Sequence, residues 1–181
     1  MTLYRCFAWN DRAKPDEPDG PCWNPRAFQG DGRHDNPETY GCLYLSEAPL
    51  SCVVEQFAPF RGQALTPSML QRRRLPLALA ALDLDDDTQL VDLDDPAVLR
   101  RERLRASLVA TRQRELTQAQ ARRVHGSHPA SAGLRWWSMF ESTWMNVTLF
   151  DRAAAQLRVA GIQRLSVDDE TVAAAAAWLG L

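Results

Sequence analysis

The stretch YGCLYLSEAPLSCVVEQF, residues 40–57, gives the clearest structural signal in this chain. Its first part alternates, so that Tyr44 falls on one face of a strand while Leu43 and Leu45 fall on the other. We therefore predict a strand over Gly41–Leu45, with Tyr44 pointing away from the two leucines.

The second part of the stretch predicts a helix. Ser46 can cap this helix, and Pro49 suits its first turn. Apolar residues then recur at helical spacing, namely Leu50, Val53, Val54 and Phe57. Glu55 lies off this apolar stripe, so we expect its carboxylate on another face of the helix.

The rest of the chain adds strands and helices in an irregular order. A segment from Asn10 to Asn36 is rich in Pro, Gly, Asp and Asn, and loops of this length are usually functional or disordered. Further predicted strands are Thr2–Ala8, Leu75–Leu84, Gln89–Leu93, Leu134–Ser138 and Asn146–Phe150. Further predicted helices are Ala97–Leu108, Thr117–Val124 ending at Gly126, and Val172–Leu179 capped by Ser166. This order favours an α+β domain with a mainly antiparallel sheet and flanking helices.

The composition limits the class of protein. With 45% hydrophobic and 24% charged residues, residues 1–181 are expected to form a single domain with its own core. A formal charge of −2 argues against direct binding to nucleic acid, which needs a basic excess. No apolar stretch approaches the roughly 20 residues of a membrane helix, and the first residues do not resemble an export leader. We expect a cytoplasmic protein that does not bind membranes.

The cysteines do not suggest a metal site. Cys6, Cys22, Cys42 and Cys52 form no C-x-x-C pair, and none lies near a histidine at zinc-ligand spacing. We expect buried, reduced thiols and no metal ion.

The segment around the predicted strand resembles the N-terminal signature of the RES domain family, named for its Arg, Glu and Ser. The resemblance rests on GRHDNP, residues 32–37, on YGCLYLSEAP, residues 40–49, and on Glu55. Family members carry an Arg in an R-[FW]-D turn, a strand ending in Tyr-Leu-Ala/Ser, and a Glu eleven positions beyond the Tyr, as Glu55 is beyond Tyr44. His34 departs from the pattern, because the family usually has an aromatic residue there.

Two outer segments extend the resemblance from residue 4 to about residue 150. Tyr4-Arg5 resembles the family's opening W/Y-R. The stretch GLRWWS, residues 133–138, resembles its later G-[IL]-x-[YW]-x-S strand.

The resemblance implies a fold similar to the diphtheria-toxin-like ADP-ribosyltransferases, in which a split sheet holds NAD in a cleft. It also implies that the chain breaks the nicotinamide–ribose bond of NAD, as a glycohydrolase or a phosphorylase. NAD is then the substrate, and no cofactor is expected. The leaving nicotinamide needs no general acid, so the barrier lies in an oxocarbenium-like ribose that a carboxylate can stabilise.

The resemblance assigns roles to five residues. Glu55, Tyr44 and Arg33 are the expected catalytic residues, with Glu55 stabilising the ribose cation. Arg5 and Arg33 are expected on the phosphates, the Tyr44 ring on nicotinamide, and the Ser138 hydroxyl on nicotinamide or a phosphate oxygen. Without the family each residue has a plainer explanation: a solvated Arg, a packed Tyr, an exposed helical Glu, or a Ser that hydrogen-bonds at the end of a strand.

Three other functions are alternatives. A protein-directed ADP-ribosyltransferase would use the same NAD site but needs a docking surface for its target. A non-catalytic binding module would keep the Arg and Glu as an ion pair. A nuclease is disfavoured, because no paired metal-binding carboxylates lie near a basic groove.

The resemblance also implies a partner. Bacterial RES toxins are usually encoded beside an antitoxin with an Xre-type helix-turn-helix domain that neutralises them. An aromatic surface around Trp136 and Trp144 is expected to be compatible with this interface or with a homodimer.

Overall fold

The computed structural model describes all residues from 1 to 181 and contains eight strands and four α-helices. The strands are β1 (Thr2–Ala8), β2 (Cys42–Ser46), β3 (Gln71–Arg72), β4 (Leu75–Asp83), β5 (Leu90–Asp92), β6 (Gly133–Trp137), β7 (Met145–Phe150) and β8 (Arg158–Arg164). The helices are α1 (Pro49–Phe57), α2 (Pro96–Arg101), α3 (Arg114–Ser127) and α4 (Glu170–Leu179). The predicted α+β class is confirmed, and every strand pair with a described register is antiparallel except β5 with β6.

The chain divides into two compact units. The first comprises residues 1–23, 46–83 and 158–181, and the second comprises residues 24–45 and 84–157. A single domain over residues 1–181 stays a prediction.

The first unit is built on β4. This strand pairs antiparallel with β1 on one side, from Thr2 opposite Asp83 to Ala8 opposite Leu77. It pairs antiparallel with β8 on the other side, and β3 forms a short hairpin with its start. α1 packs against β1 and against α4. The buried positions of α4 recur at helical spacing as Val172, Ala175, Ala176 and Leu179, so one face of this helix is buried.

β8 is an edge strand of the first unit. It pairs only with β4, and its residues are exposed except for the half-buried Ile162. Ala160 forms a bulge, because Gly161 lies opposite Ala81 while Val159 lies opposite Leu82. Arginines stand at both ends of the strand, Arg158 and Arg164.

The second unit places β7 between β2 and β6, with β5 beyond β6. All six residues of β7 are buried, as expected for a central strand covered on both faces. The core contains Tyr40, Leu134, Trp136 and Phe150 from loop and strands, and α3 contributes Ala121 and Val124. None of the helices combines the length and the apolar character that a membrane-spanning segment requires.

Several sequence-based details of the helices are wrong. The predicted helix Ala97–Leu108 ends at Arg101, because Arg103 adopts the left-handed backbone conformation and only a short 3₁₀ turn follows at Ala106–Leu108. α3 starts three residues earlier than predicted and runs through Gly126 to Ser127.

The two predicted serine caps are also wrong. Ala48 and Asp169 are the residues that precede α1 and α4, and neither makes a side-chain cap. The Ser46 hydroxyl instead accepts a hydrogen bond from the Ala48 N–H, and the Ser166 N–H donates to the Asp169 carboxylate. Both serines therefore organise the turn before the helix.

Strand β8 was not predicted, because its exposure on both faces leaves no alternation to detect. The expected buried, reduced thiols are confirmed, since all four cysteines are buried and free.

Candidate functional site

Arg33 is held inside the second unit by three elements. Arg33 is 4% exposed, and the central carbon of its guanidinium lies 4.9 Å from the centroid of the Trp136 ring. Its Nη1 donates to the carbonyls of Val109 and Thr111, which precede α3. Its own carbonyl accepts a 2.6 Å hydrogen bond from the Thr117 hydroxyl of α3. The guanidinium is therefore fixed in direction by contacts within the chain.

His34 is a buried ring that packs beside Arg33. It meets the Trp136 ring edge-on, with ring centroids 5.1 Å apart. Its Nδ1 shares a 2.8 Å hydrogen bond with the Thr148 hydroxyl, which also accepts from Trp136 Nε1 at 3.0 Å. Burial, followed by the charges of Arg33 and Arg114, lowers the pKa of His34 to about 3. His34 is therefore a neutral ring at physiological pH and can pack as an aromatic residue would.

Asp35 joins the Arg33 turn to strand β2. Its Oδ2 accepts hydrogen bonds from the backbone N–H groups of Gly30, at 2.8 Å, and Gly32, at 2.7 Å. Its Oδ1 accepts from the Tyr44 hydroxyl at 2.6 Å and from the Cys42 thiol at 3.4 Å. The residue is 6% exposed, so these four donors replace solvent around the carboxylate.

Tyr44 is half-buried, and its hydroxyl is fully engaged within the chain. The hydroxyl donates to Asp35 and accepts a 2.8 Å hydrogen bond from the His34 N–H. Burial, with the negative charge of Asp35 among the lesser causes, raises the pKa of Tyr44 well above 10. The phenol stays protonated, and the ring rather than the hydroxyl is what Tyr44 can offer a ligand.

Ser138 follows the last residue of β6 and is buried. Its N–H donates to the Trp144 carbonyl at 2.7 Å, and its hydroxyl accepts from the Phe140 N–H at 3.2 Å. These bonds shape the turn between β6 and β7. A direct contact of Ser138 with NAD stays a prediction.

Arg5 lies in β1, in the first unit, and holds the loop that follows β1. Its Nη1 donates to the carbonyls of Pro21, at 2.6 Å, and Gly20, at 3.4 Å, and its guanidinium lies 5.3 Å from the Phe7 ring. Loss of solvent around the guanidinium lowers the pKa of Arg5 to about 10, so the group stays charged at neutral pH. The segment after β1 is thus ordered, in part by Arg5.

Glu55 also lies in the first unit, on the exposed face of α1. Its neighbours Cys52, Val53, Val54 and Phe57 are buried, and Glu55 is exposed. This is the placement predicted from its position off the apolar stripe.

The second unit therefore holds Arg33, Tyr44 and Ser138, and the first unit holds Arg5 and Glu55. Arg33 and Tyr44 are connected through His34, Asp35 and Trp136. Asp35 was not among the residues predicted for the site, although it is the last residue of the R-[FW]-D turn.

The expected aromatic interface residue Trp136 is 4% exposed and belongs to the core. That part of the surface prediction is wrong, because the alternation of β6 turns Trp136 inward and leaves Trp137 half-buried. A surface groove of about 670 Å³ in the second unit, lined by residues 87–92, 95, 98, 101 and 127–131, contains none of the five predicted residues. No group of three or more His, Cys, Asp or Glu side chains could hold a metal ion.

Comparisons with known proteins agree with this architecture. One solved structure with a similar fold is the crystal structure of the M. tuberculosis MbcT–MbcA toxin–antitoxin complex. The match has a TM-score of 0.64 and 19% sequence identity, and it covers 99% of this chain and 89% of that chain. A search of curated proteins gives no significant match. The family model of the RES domain matches residues 2–170, and the chain therefore belongs to the RES domain family.

Proposed function

We propose that this chain is a toxin enzyme that binds NAD and breaks its nicotinamide–ribose bond. The observation that carries the proposal is the RES domain match over residues 2–170, which includes Arg5, Arg33, Tyr44, Glu55 and Ser138. Of these, Arg33 and Tyr44 form one preorganised group in the second unit.

The chemistry of each residue type supports the proposal. Arg33 holds a buried guanidinium whose direction is set by Trp136 and two carbonyls, and its positive charge can attract a phosphate. Tyr44 presents a ring whose hydroxyl is already satisfied, which suits stacking on nicotinamide. Glu55 keeps an exposed carboxylate, which can stabilise a ribose cation electrostatically.

The reaction balances with either of two acceptors. Departure of neutral nicotinamide leaves a cationic ribose at C1′. Water then gives ADP-ribose and a proton, whereas phosphate gives ADP-ribose with a phosphate ester at the same carbon. We propose no preference between these acceptors, and transfer to a protein is the remaining alternative.

We also propose that an antitoxin neutralises the enzyme. The similar fold comes from a toxin–antitoxin complex, which supports a protein partner of this kind. An Xre-type helix-turn-helix domain in that partner follows from the family alone.

The proposal is tested by incubating the purified chain with NAD, with and without phosphate, and identifying the products by HPLC and mass spectrometry. We expect nicotinamide in both samples, and the second product identifies the acceptor. Absence of nicotinamide release, with the chain folded, would leave a non-catalytic binding module as the function.

A further inference from the structure

The carboxylate of Asp35 connects two segments that carry predicted NAD contacts. One oxygen accepts hydrogen bonds from the N–H groups of Gly30 and Gly32, in the loop that leads into Arg33. The other oxygen receives the hydroxyl of Tyr44 in β2. A single buried side chain thus fixes both the turn before Arg33 and the ring of Tyr44.

The surroundings of Asp35 are built for this arrangement. A Cβ atom at Gly32 would lie within 2.5 Å of both the Asp35 carboxylate and the Tyr44 hydroxyl, so only glycine leaves room for their hydrogen bond. Gln118 of α3 donates to the carbonyls of Gly30 and Gly32, both at 2.8 Å, and holds the same loop from its other side.

We propose that Asp35 is a positioning residue of the NAD site, a role that rests on the proposed function. It acts through Tyr44 and through the Gly30–Gly32 loop, and it does not touch the substrate. Because the Tyr44 hydroxyl is hydrogen-bonded to both Asp35 and the His34 N–H, the angle of the ring is fixed before NAD binds. Preorganisation of this kind lowers the ordering cost of binding.

Only a carboxylate serves here, because all four partners of Asp35 are donors. Asp35→Asn keeps the size of the side chain but replaces one acceptor oxygen with an NH₂ group. That NH₂ group would face either the two glycine N–H groups or the Tyr44 hydroxyl and Cys42 thiol, so one pair of hydrogen bonds is lost. Loss of such buried hydrogen bonds costs a free energy that corresponds to roughly a tenfold weaker binding constant or more. We expect the KM for NAD to rise about tenfold, because Asp35 supports Arg33 and Tyr44, whose expected contacts are with the phosphates and nicotinamide of bound NAD. We expect kcat to stay within about threefold, because the expected stabiliser of the ribose cation, Glu55, is not among the partners of Asp35.

A merely structural role predicts a different result. A smaller folded fraction lowers the apparent kcat but leaves the KM of the remaining enzyme unchanged. Glu38→Gln is the matched control, because it removes one negative charge at an exposed position close to Asp35 in sequence but outside the Gly30–Gly32 loop.

The experiment measures steady-state nicotinamide release and calorimetric NAD affinity for the wild type and both variants. A higher KM and weaker affinity in Asp35→Asn alone support the inference. An unchanged KM, with or without a lower kcat, overturns it while wild-type NAD cleavage upholds the proposed function. A folded wild type that neither binds nor cleaves NAD overturns both. If Asp35→Asn does not fold, Tyr44→Phe removes only one of the four hydrogen bonds, and an unchanged KM in that variant also overturns the inference.

Discussion

Tyr44→Phe removes one oxygen atom, and the structure indicates what that atom contributes to stability. The hydroxyl donates to the Asp35 carboxylate at 2.6 Å and accepts from the His34 N–H at 2.8 Å. A buried donor left without a partner costs about 1–3 kcal/mol, and a hydrogen bond to a charged group is worth about 1.5–3 kcal/mol. Allowing for relaxation, we expect the free energy of unfolding to fall by about 3 kcal/mol. For a chain of this size that corresponds to a drop in Tm of roughly 6–12 °C.

Urea unfolding followed by tryptophan fluorescence measures this loss, provided that the m-value is the same in both proteins. Tyr4→Phe is the matched control, because no hydrogen bond is described for the Tyr4 hydroxyl, and its midpoint should stay close to the wild-type value. A Tyr44→Phe variant within about 0.5 kcal/mol of the wild type, the range of a neutral surface change, would refute the described role of the hydroxyl.

The remaining predictions concern Glu55, Arg33 and His34. Glu55→Gln should lower single-turnover nicotinamide release by roughly 100-fold, the loss typical of removing one preorganised electrostatic group, with NAD affinity unchanged. Glu170→Gln, at the exposed start of α4, is the control. Turnover of Glu55→Gln within about threefold of the wild type would remove Glu55 from catalysis. Arg33→Ala should weaken NAD binding more than Arg33→Lys, because Lys keeps the charge but loses the planar fork; equal calorimetric losses in two folded variants would instead indicate a structural role. The pKa of His34 in the folded chain, about 3, lies below its value of 6.5 in the unfolded chain. The contribution of neutral His34 to the free energy of unfolding is therefore complete above pH 6.5. It falls by about 1.4 kcal/mol per pH unit as the pH drops from 6.5 toward 3. His34→Phe should therefore flatten the pH dependence of urea midpoints between pH 6.5 and 4, and an identical dependence in the two proteins would contradict the assignment.

Local patterns in the sequence predict most of the elements. β1 coincides with its predicted bounds, β2 shifts by one residue, and α1 ends at the predicted Phe57 although it starts two residues later than a Ser46 cap implies. These agreements arise because alternation and helical spacing report burial directly. The helix breaks after Arg101 because Arg103 adopts the left-handed backbone conformation. The sequence does not indicate this break, because arginine rarely adopts that conformation.

The candidate site was predictable residue by residue but not as an arrangement. Family spacing indicates Arg33, Tyr44 and Glu55. The hydrogen bonds that fix Arg33 come from the carbonyls of Val109 and Thr111, more than 70 residues away, and backbone carbonyls leave no trace in a sequence. The importance of Asp35 likewise depends on three-dimensional proximity to Gly30, Gly32 and Tyr44.

The exposed strand β8 has a consequence for solubility. A bare strand edge can recruit the same strand of another molecule and begin aggregation. If two copies of β8 paired antiparallel about Gly161, Arg158 of one copy would face Arg164 of the other at both ends, and like charges placed opposite each other are destabilising. The bulge at Ala160 further distorts the edge that such a pair would need. The chain thus protects its most exposed strand against growth into intermolecular sheets.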